Sequence, residues 1–403
     1  MSFAKRNRVA IIGTVGVPAN YGGFETLAEH LIEDLGDKHD ITVFCSGKKY
    51  AKEERRKTYK GASLKYIPLD ANGVQSILYD SISIIRSLFF ADVLMVLGVA
   101  GAWILPFVRL FTNKKIIISI DGIEWKRDKW SLFAKLYLFW AEKIAVNYSH
   151  IDISDNEAIQ DYTAARYGTL SRIIEYGADH TLKITPTEED IHAFSFLASP
   201  YAFKVCRIEP ENNVHLILEA FSKTSTLPLV IIGNWKNSAY GIGLKAQYSN
   251  HPNIHILDPI YDQAKLDVIR SNASLYVHGH SAGGTNPSLV EAMYLGLPIL
   301  AYGVSYNRVT TERQALYFKN LDDLIQTIES LDYGRLNELG EMMERTAKRR
   351  YVWSKIAFKY DLLISEALRT KSKSSITPKS SKLQYKKLLE NGMAHLKTPV
   401  NQF

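Results

Sequence analysis

His278-Gly-His-Ser-Ala-Gly-Gly-Thr-Asn-Pro-Ser-Leu-Val-Glu-Ala-Met-Tyr-Leu-Gly-Leu-Pro298 reads as a strand that runs into a glycine-rich loop and then into a helix. Pro287 suits the first helical turn, where its missing N–H removes no bond. Gly283 and Gly284 let the backbone approach a ligand closely. The N–H groups near Thr285, Asn286 and Ser288 are expected to point at a diphosphate, reinforced by the helix dipole. Glu291, one turn into the helix, is placed to accept hydrogen bonds from ribose hydroxyls. The plainer alternative is a turn that only caps the helix.

The same strand–helix rhythm extends to both sides. Upstream in the second half, apolar strands are expected at Tyr201–Val205, Leu229–Ile232, Ile254–Leu257 and Ser274–His278, and downstream at Pro298–Ala301, with helices at Val214–Lys223, Tyr261–Ser271 and Ser288–Leu295. The first half carries strands at Val9–Ile12, Ile41–Cys45, Leu64–Ile67, Val93–Leu97, Ile116–Ile120, Ala145–Asn147, Ile151–Ile153 and Ile173–Ile174, with helices starting near Gly23, Val74 and Lys129. Alternation of this kind predicts α/β domains with doubly wound parallel sheets. A polar stretch with Pro186 and Glu188-Glu-Asp190 marks the boundary. The division expected is 1–183, 184–344, a helical segment over 345–368, and a basic tail over 369–403. Ligands of open α/β sheets bind outside the carboxyl ends of the strands, so two such domains facing each other make a cleft.

Composition narrows the class. The 403 residues are 46% hydrophobic and 23% charged, which excludes a disordered chain and makes two domains the default. Cys45 and Cys206 lie far apart and suit a reducing, cytoplasmic setting. The net charge is +7, and part of it sits in Arg369, Lys371, Lys373, Lys379, Lys382, Lys386 and Lys387, a run without acids. Such a run seeks an anionic membrane face or nucleic acid, or is simply solvated. Nucleic acid is disfavoured, because no aromatics interleave the charges apart from Tyr385. Leu88–Val108 has the length of a membrane span, but it reads better as a buried strand ending at Gly98 followed by a helix over Ala100–Phe111.

A second glycine-rich segment, Gly13-Thr-Val-Gly-Val-Pro-Ala-Asn-Tyr-Gly-Gly-Phe-Glu25, follows the first strand. Tyr21, Gly22, Gly23 and Glu25 make it a candidate ligand loop. It is neither Gly-x-Gly-x-x-Gly nor a Walker A loop, so a dehydrogenase or P-loop site is poorly supported.

The 278–298 run resembles the donor-binding segment of family-4 retaining glycosyltransferases, enzymes of the GT-B fold. In that family two glutamates stand eight positions apart; Glu291 matches the second, and Gly283 occupies the place of the first, whose task would pass to His280 or to backbone amides. Val205-Cys-Arg-Ile-Glu-Pro-Glu-Asn-Asn-Val214 is similar to the family's phosphate-contacting loop. Arg207 matches its diphosphate clamp, and an arginine fork suits phosphate oxygens; the usual lysine falls at Asn212. Tyr351-Val-Trp353, Ile356 and Tyr360 resemble the helix that crosses back to the N-terminal domain. Gly13–Glu25, Asp121-Gly-Ile-Glu-Trp-Lys-Arg127, Arg207–Asn213 and Gly283–Ser288 together resemble bacterial rhamnosyltransferases that use dTDP-β-L-rhamnose and build O-antigen, capsule or wall polysaccharide on a lipid-diphosphate acceptor.

That resemblance implies a hexosyltransferase needing no cofactor beyond its nucleoside-diphosphate sugar, located in the cytoplasm and peripherally on the inner membrane. Asp121 stands where many relatives carry a histidine, and would orient the acceptor hydroxyl or take its proton; capping a turn is the alternative. Glu124, Arg127, Asp155 and Glu209 are weaker candidates, Glu209 and Glu211 being equally suited to ion pairing with Arg207. The 11 histidines show no metal spacing, so metal independence is expected. A UDP- or GDP-linked donor, and a catalytically inactive nucleotide-sugar binder on the same fold, are the competing readings.

Overall fold

The computed structural model describes residues 6–19, 22–120, 122–127 and 130–373. These divide into two compact units, one of residues up to 175 joined by those from 353 onward, the other Tyr176–Val352.

In the first unit the chain runs through β1 (Asn7–Ile12), α1 (Gly23–Leu35), β2 (His39–Ser46), β3 (Thr58–Tyr59), β4 (Ala62–Ile67), α2 (Gln75–Ser87), β5 (Val93–Leu97), α3 (Leu105–Phe111), β6 (Lys115–Ile120), α4 (Leu132–Tyr148), β7 (Ile151–Ser154), α5 (Glu157–Tyr167) and β8 (Arg172–Ile173). The strands form an eight-stranded sheet ordered β3-β4-β2-β1-β5-β6-β7-β8, parallel except for the β3–β4 edge pair. Continuous apolar runs such as Val9–Ile12 and Val93–Leu97 are fully buried because helices cover both faces of the sheet. The segment 88–108 is therefore split between the turn after α2, central β5 and the start of α3. No helix among the described residues is long and apolar enough to cross a membrane.

The second unit contains α6 (Glu188–Ala193), β9 (Ala202–Val205), α7 (Val214–Lys223), β10 (Leu229–Ile232), α8 (Ala239–Tyr248), β11 (Ile254–Leu257), α9 (Gln263–Ser271), β12 (Leu275–His278), α10 (Pro287–Tyr294), β13 (Ile299–Tyr302), α11 (Ser305–Thr310), β14 (Leu316–Phe318), α12 (Leu321–Glu329) and α13 (Tyr333–Arg350). Its sheet is wholly parallel, ordered β11-β10-β9-β12-β13-β14, with one apolar cluster on each face. A final helix, α14 (Trp353–Arg369), packs in the first unit. There Trp353 stacks on His30 at 4.2 Å, and Asp361 accepts from Lys38 at 2.7 Å and pairs with His39 at 2.8 Å.

Three sequence expectations need correcting. Ala145–Asn147 is not a strand but the end of α4, a short apolar run whose period cannot tell strand from helix. The helical segment over 345–368 is two helices, broken at Tyr351, whose hydroxyl donates to the Thr310 carbonyl at 2.7 Å and holds α13 in the second unit. The boundary falls at 175 rather than 183. Residues 176–183 are fastened to the second unit: Ala178 N–H donates to Tyr351 O at 2.8 Å, and Leu182 N–H to the Asp267 carboxylate at 3.2 Å.

Candidate functional site

Strand order locates the site in each unit. In the second sheet the order reverses between β9 and β12, the point where an open parallel sheet leaves a crevice outside its carboxyl ends. The segments leaving those two strands are 206–213 and 279–286, the two that the sequence singled out.

They are fastened to each other. Asn213 lies in the left-handed region at φ 49 and donates through Nδ2 to the Gly279 carbonyl at 2.8 Å. Ser281 donates to the Glu211 carbonyl from its backbone N–H at 2.8 Å and from its hydroxyl at 2.9 Å. The approach is so close that a Cβ on Gly279 would stand 2.2 Å from the Asn212 carbonyl oxygen. Asn212 is buried, and its amide donates to the Arg207 carbonyl at 2.6 Å. It braces the loop, so position 212 supplies no second cation.

Arg207 is the exposed cation of this pair of loops. Its side chain is 47% exposed, and its one ion pair among the described residues, to Glu209, is long at 3.8 Å. A pair of that kind contributes at most about 1 kcal/mol, so Glu209 holds the guanidinium only loosely.

The first turn of α10 is more closed than expected. Pro287 has no N–H, Ser288 N–H donates to Asn286 Oδ1 at 3.1 Å, and Leu289 and Val290 N–H both donate to the Asn286 carbonyl. The Tyr276 hydroxyl donates to Ser288 Oγ at 2.7 Å, which donates to Asn286 Oδ1 at 2.8 Å. Asn286 and Ser288 therefore cap the helix, and the amides of Gly283 and Gly284 lie outside this cap. Gly283 has φ 127, a conformation that side chains rarely adopt. That is the physical reason why a glutamate is unsuited to this position.

Glu291 is not an open carboxylate. Its Oε2 accepts from Arg270 at 2.7 Å and its Oε1 pairs with His180 Nε2 at 3.1 Å. Arg270 in turn pairs with buried Asp267 at 2.5 Å. Burial alone would raise the Glu291 pKa; Arg270, aided by His180, outweighs it and holds the group down at about 2. None of His180, Asp267 and Arg270 carries a sequence signal, since only the fold brings them to α10. Behind the loop, His278 is fully buried and stacks on His280 at 4.4 Å; burial, with Lys204 nearby, keeps its pKa well below 6.5. The His280 carbonyl is held by Asn307 Nδ2 at 2.9 Å.

In the first sheet the order reverses between β1 and β5, and the segment 13–22 leaves β1 there. Gly13 is pressed against the end of β5, where a Cβ would meet the Leu97 carbonyl oxygen at 2.1 Å. Glu25, expected among the sugar-contacting residues, is a brace: it accepts from Val15 N–H at 2.6 Å and from Thr14 Oγ1 at 3.0 Å. Its carboxylate lies where a side chain on Gly22 would go, with a Cβ only 1.8 Å from Oε2. Gly23 opens α1. After β6, Glu124 pairs with Arg127 at 2.9 Å and accepts from Trp130 Nε1 at 2.9 Å, which ties that loop together. Half-buried Asp155 precedes Asn156, the cap of α5, whose side chain accepts from Ile159 N–H at 3.0 Å. Tyr21 and Asp121 lie outside the described residues. Among the described residues no group of three His, Cys, Asp or Glu side chains is placed to hold a metal.

Comparison with known proteins agrees with this fold. Residues 6–179 match a family described as a domain of unknown function, DUF1972. Residues 188–349 match the family Glycosyl transferases group 1. No curated protein matches the sequence. Among solved structures, the chain is similar to sucrose-phosphate synthase from Thermosynechococcus elongatus, at 16% identity over 90% of this chain and 99% of that one, with a TM-score of 0.76. It is also similar to HepE of Anabaena in complex with UDP, at 12% identity over 90% and 100% with a TM-score of 0.67. The catalytic domain of starch synthase IV from Arabidopsis thaliana, bound to ADP and acarbose, is similar at 14% identity over 91% and 100%, TM-score 0.66. At such identities the likeness is one of architecture, two parallel-sheet α/β domains of the GT-B type.

Proposed function

We propose that this chain, a GT-B glycosyltransferase whose residues 188–349 form a glycosyltransferase group 1 domain, moves L-rhamnose from dTDP-β-L-rhamnose, with retention, onto a lipid-diphosphate-linked saccharide of bacterial cell-surface polysaccharide. The observation that carries the reading is Arg207: a half-exposed, loosely paired guanidinium, on a loop fastened to the glycine-rich segment 279–284. Two of the similar structures hold nucleoside diphosphates, UDP and ADP, which is the part of a sugar nucleotide that such a cation recognises. The choice of rhamnose rests on the resemblance of Gly13–Glu25, 121–127, 207–213 and 283–288 to rhamnosyltransferases.

In this reading the bond between the anomeric carbon and the phosphate oxygen breaks, its electron pair leaving with the diphosphate. Arg207 and the amides of Gly283 and Gly284 stabilise the growing negative charge, the electrostatic role that usually contributes most. The acceptor hydroxyl forms the new bond on the same face and gives its proton to the departing phosphate oxygen. Asp121, which follows β6, positions that hydroxyl, and no metal takes part. Glu291 acts through its ion pairs by fixing α10 and the loop before it. Ribose contact by Glu291 is the competing assignment, and the Glu291→Gln variant decides between them.

A panel of dTDP-, UDP- and GDP-sugars, followed by thermal shift and by transfer to a lipid-linked acceptor, tests the proposal. Binding and turnover with dTDP-L-rhamnose are expected, the melting point rising by mass action. Turnover with a UDP- or GDP-sugar instead moves the donor assignment. Gly283 and Asn212 leave the resembled family's glutamate and lysine unfilled, so binding without turnover would make the chain a nucleotide-sugar-binding protein. An Asp121→Asn variant with wild-type turnover would remove Asp121 from the mechanism.

A further inference from the structure

The segment 122–127 leaves β6 with little backbone bonding of its own. Lys126 N–H donates to Ile123 O at 3.0 Å and Arg127 N–H to Glu124 O at 3.2 Å, which makes one 3-10 turn. Side chains tie it to the helices instead. Trp125 Nε1 donates to Tyr162 Oη at 2.9 Å, Tyr162 Oη donates to Glu142 Oε1 at 2.6 Å, and the Tyr167 hydroxyl donates to the same oxygen. The Trp125 ring meets Phe139 edge-on at 5.2 Å. The Arg166 guanidinium lies over both, 5.1 Å from the centre of Trp125 and 3.6 Å from that of Phe139.

Helical spacing builds this socket. Phe139 and Glu142 stand three apart on α4, and Tyr162 and Arg166 four apart on α5, so each pair shares one face. Glu142 and Tyr162 are buried, and a carboxylate so placed is destabilising unless hydrogen bonds satisfy it. The two tyrosine hydroxyls do so, with Arg166 at 3.9 Å. Tyr167 serves the carboxylate alone, whereas Tyr162 carries the anchorage across to Trp125. Beside Trp125 stand Glu124 and Arg127, paired at 2.9 Å and partly exposed. Fixing the indole therefore fixes where that pair stands at the carboxyl end of β6.

We propose that Trp125, Tyr162 and Glu142 are positioning residues for the acceptor, acting through Glu124 and Arg127 rather than by touching substrate. The proposal rests on the transferase reading, in which the segment leaving β6 meets the acceptor; the hydrogen-bond chain itself does not depend on that reading. A chain that is only structural costs stability when it is cut. A positioning chain costs turnover as well, because a displacement of about 1 Å near the reacting groups lowers rates by up to roughly a hundredfold.

Trp125→Phe and Tyr162→Phe remove the same hydrogen bond from its two ends. Tyr167→Phe is the control, taking a hydroxyl from Glu142 while leaving the link to Trp125. Steady-state kinetics of the full chain test the proposal, with the nucleotide sugar that the wild type turns over and a lipid-diphosphate-linked saccharide each varied in turn, and with melting points alongside. Acceptor kcat/KM is expected to fall roughly tenfold in Trp125→Phe and in Tyr162→Phe, and in the double variant no further than the larger single loss, since both changes break one bond. Donor KM is expected to be unchanged. Tyr167→Phe is expected to melt like Tyr162→Phe but to turn over like the wild type. Hydrogen exchange across 122–127 is expected to rise in the first two variants and not in the control. Wild-type kinetics in Tyr162→Phe, multiplying losses in the double variant, or an equal loss in Tyr167→Phe overturns the proposal alone. A wild type that turns over no sugar nucleotide overturns the transferase reading and the proposal with it.

Discussion

Replacing Glu291 by Gln keeps the shape of the side chain and removes its charge. In the native protein that charge sits against Arg270 at 2.7 Å and His180 at 3.1 Å, with 15% of the side chain exposed. A carboxyl pKa held at about 2 against the usual 4.5 corresponds to about 3 kcal/mol of native-state stabilisation, at about 1.4 kcal/mol per pH unit. Glutamine keeps one acceptor oxygen for Arg270 and turns its NH2 toward His180 Nε2, so part of the network survives and that figure is a ceiling. For a unit of this size the melting transition is expected to fall by roughly 6–12 °C. The pH dependence has a definite sign. A depressed pKa contributes stability that is complete above about pH 4.5 and is lost as the pH falls toward about 2. Thermal denaturation of wild type and variant, run at neutral pH and at steps through that window, should therefore show a gap that is widest near neutrality and closes on acidification. A variant that melts with the wild type at neutral pH, yet no longer binds the donor, would refute the reasoning and make Glu291 a ligand contact.

Gly279→Ala places a methyl group 2.2 Å from the Asn212 carbonyl oxygen, and the two loops must part to admit it. A cost of roughly 1–3 kcal/mol is expected, with donor affinity falling alongside the melting point; unchanged binding would show that the fastening of the loops is unimportant. Glu25→Gln weakens the acceptors that hold Val15 N–H and Thr14 Oγ1. It is expected to raise hydrogen exchange across 13–19 and to lower stability by about 1 kcal/mol, and exchange equal to wild type would contradict the bracing role.

The fold was legible where burial is two-sided. Val93–Leu97, Leu229–Ile232 and Ile254–Leu257 stand out as apolar runs because parallel strands covered on both faces have no polar alternation to obscure them. The errors fell where local pattern is ambiguous. The end of α4 mimics a strand over three residues, and nothing local announces that Tyr351 separates two helices. At the site, the glycines could be read because special backbone conformations restrict residue choice. The rest depends on contacts between residues distant in sequence: Glu291 with His180, Asn213 with Gly279. A carboxylate in a glycine-rich motif looks available until the fold supplies its partner, as happened for both Glu25 and Glu291. Asn212 was visible as the absence of a lysine, but its bracing of the Arg207 carbonyl was not.

The most direct test is isothermal titration of dTDP and of dTDP-L-rhamnose into wild type, Arg207→Ala and Arg207→Lys, with the melting point of each unliganded protein as control. The Arg207 side chain is 47% exposed and held by one 3.8 Å pair, so the unliganded melting points are expected to agree within about 2 °C. Affinity for the diphosphate is expected to fall roughly 10–150-fold in Arg207→Ala, the worth of a charge-assisted hydrogen bond or two, with Arg207→Lys between because it lacks the fork. Equal affinity across all three proteins, with the fold intact, would contradict the claim that this guanidinium grips the leaving diphosphate.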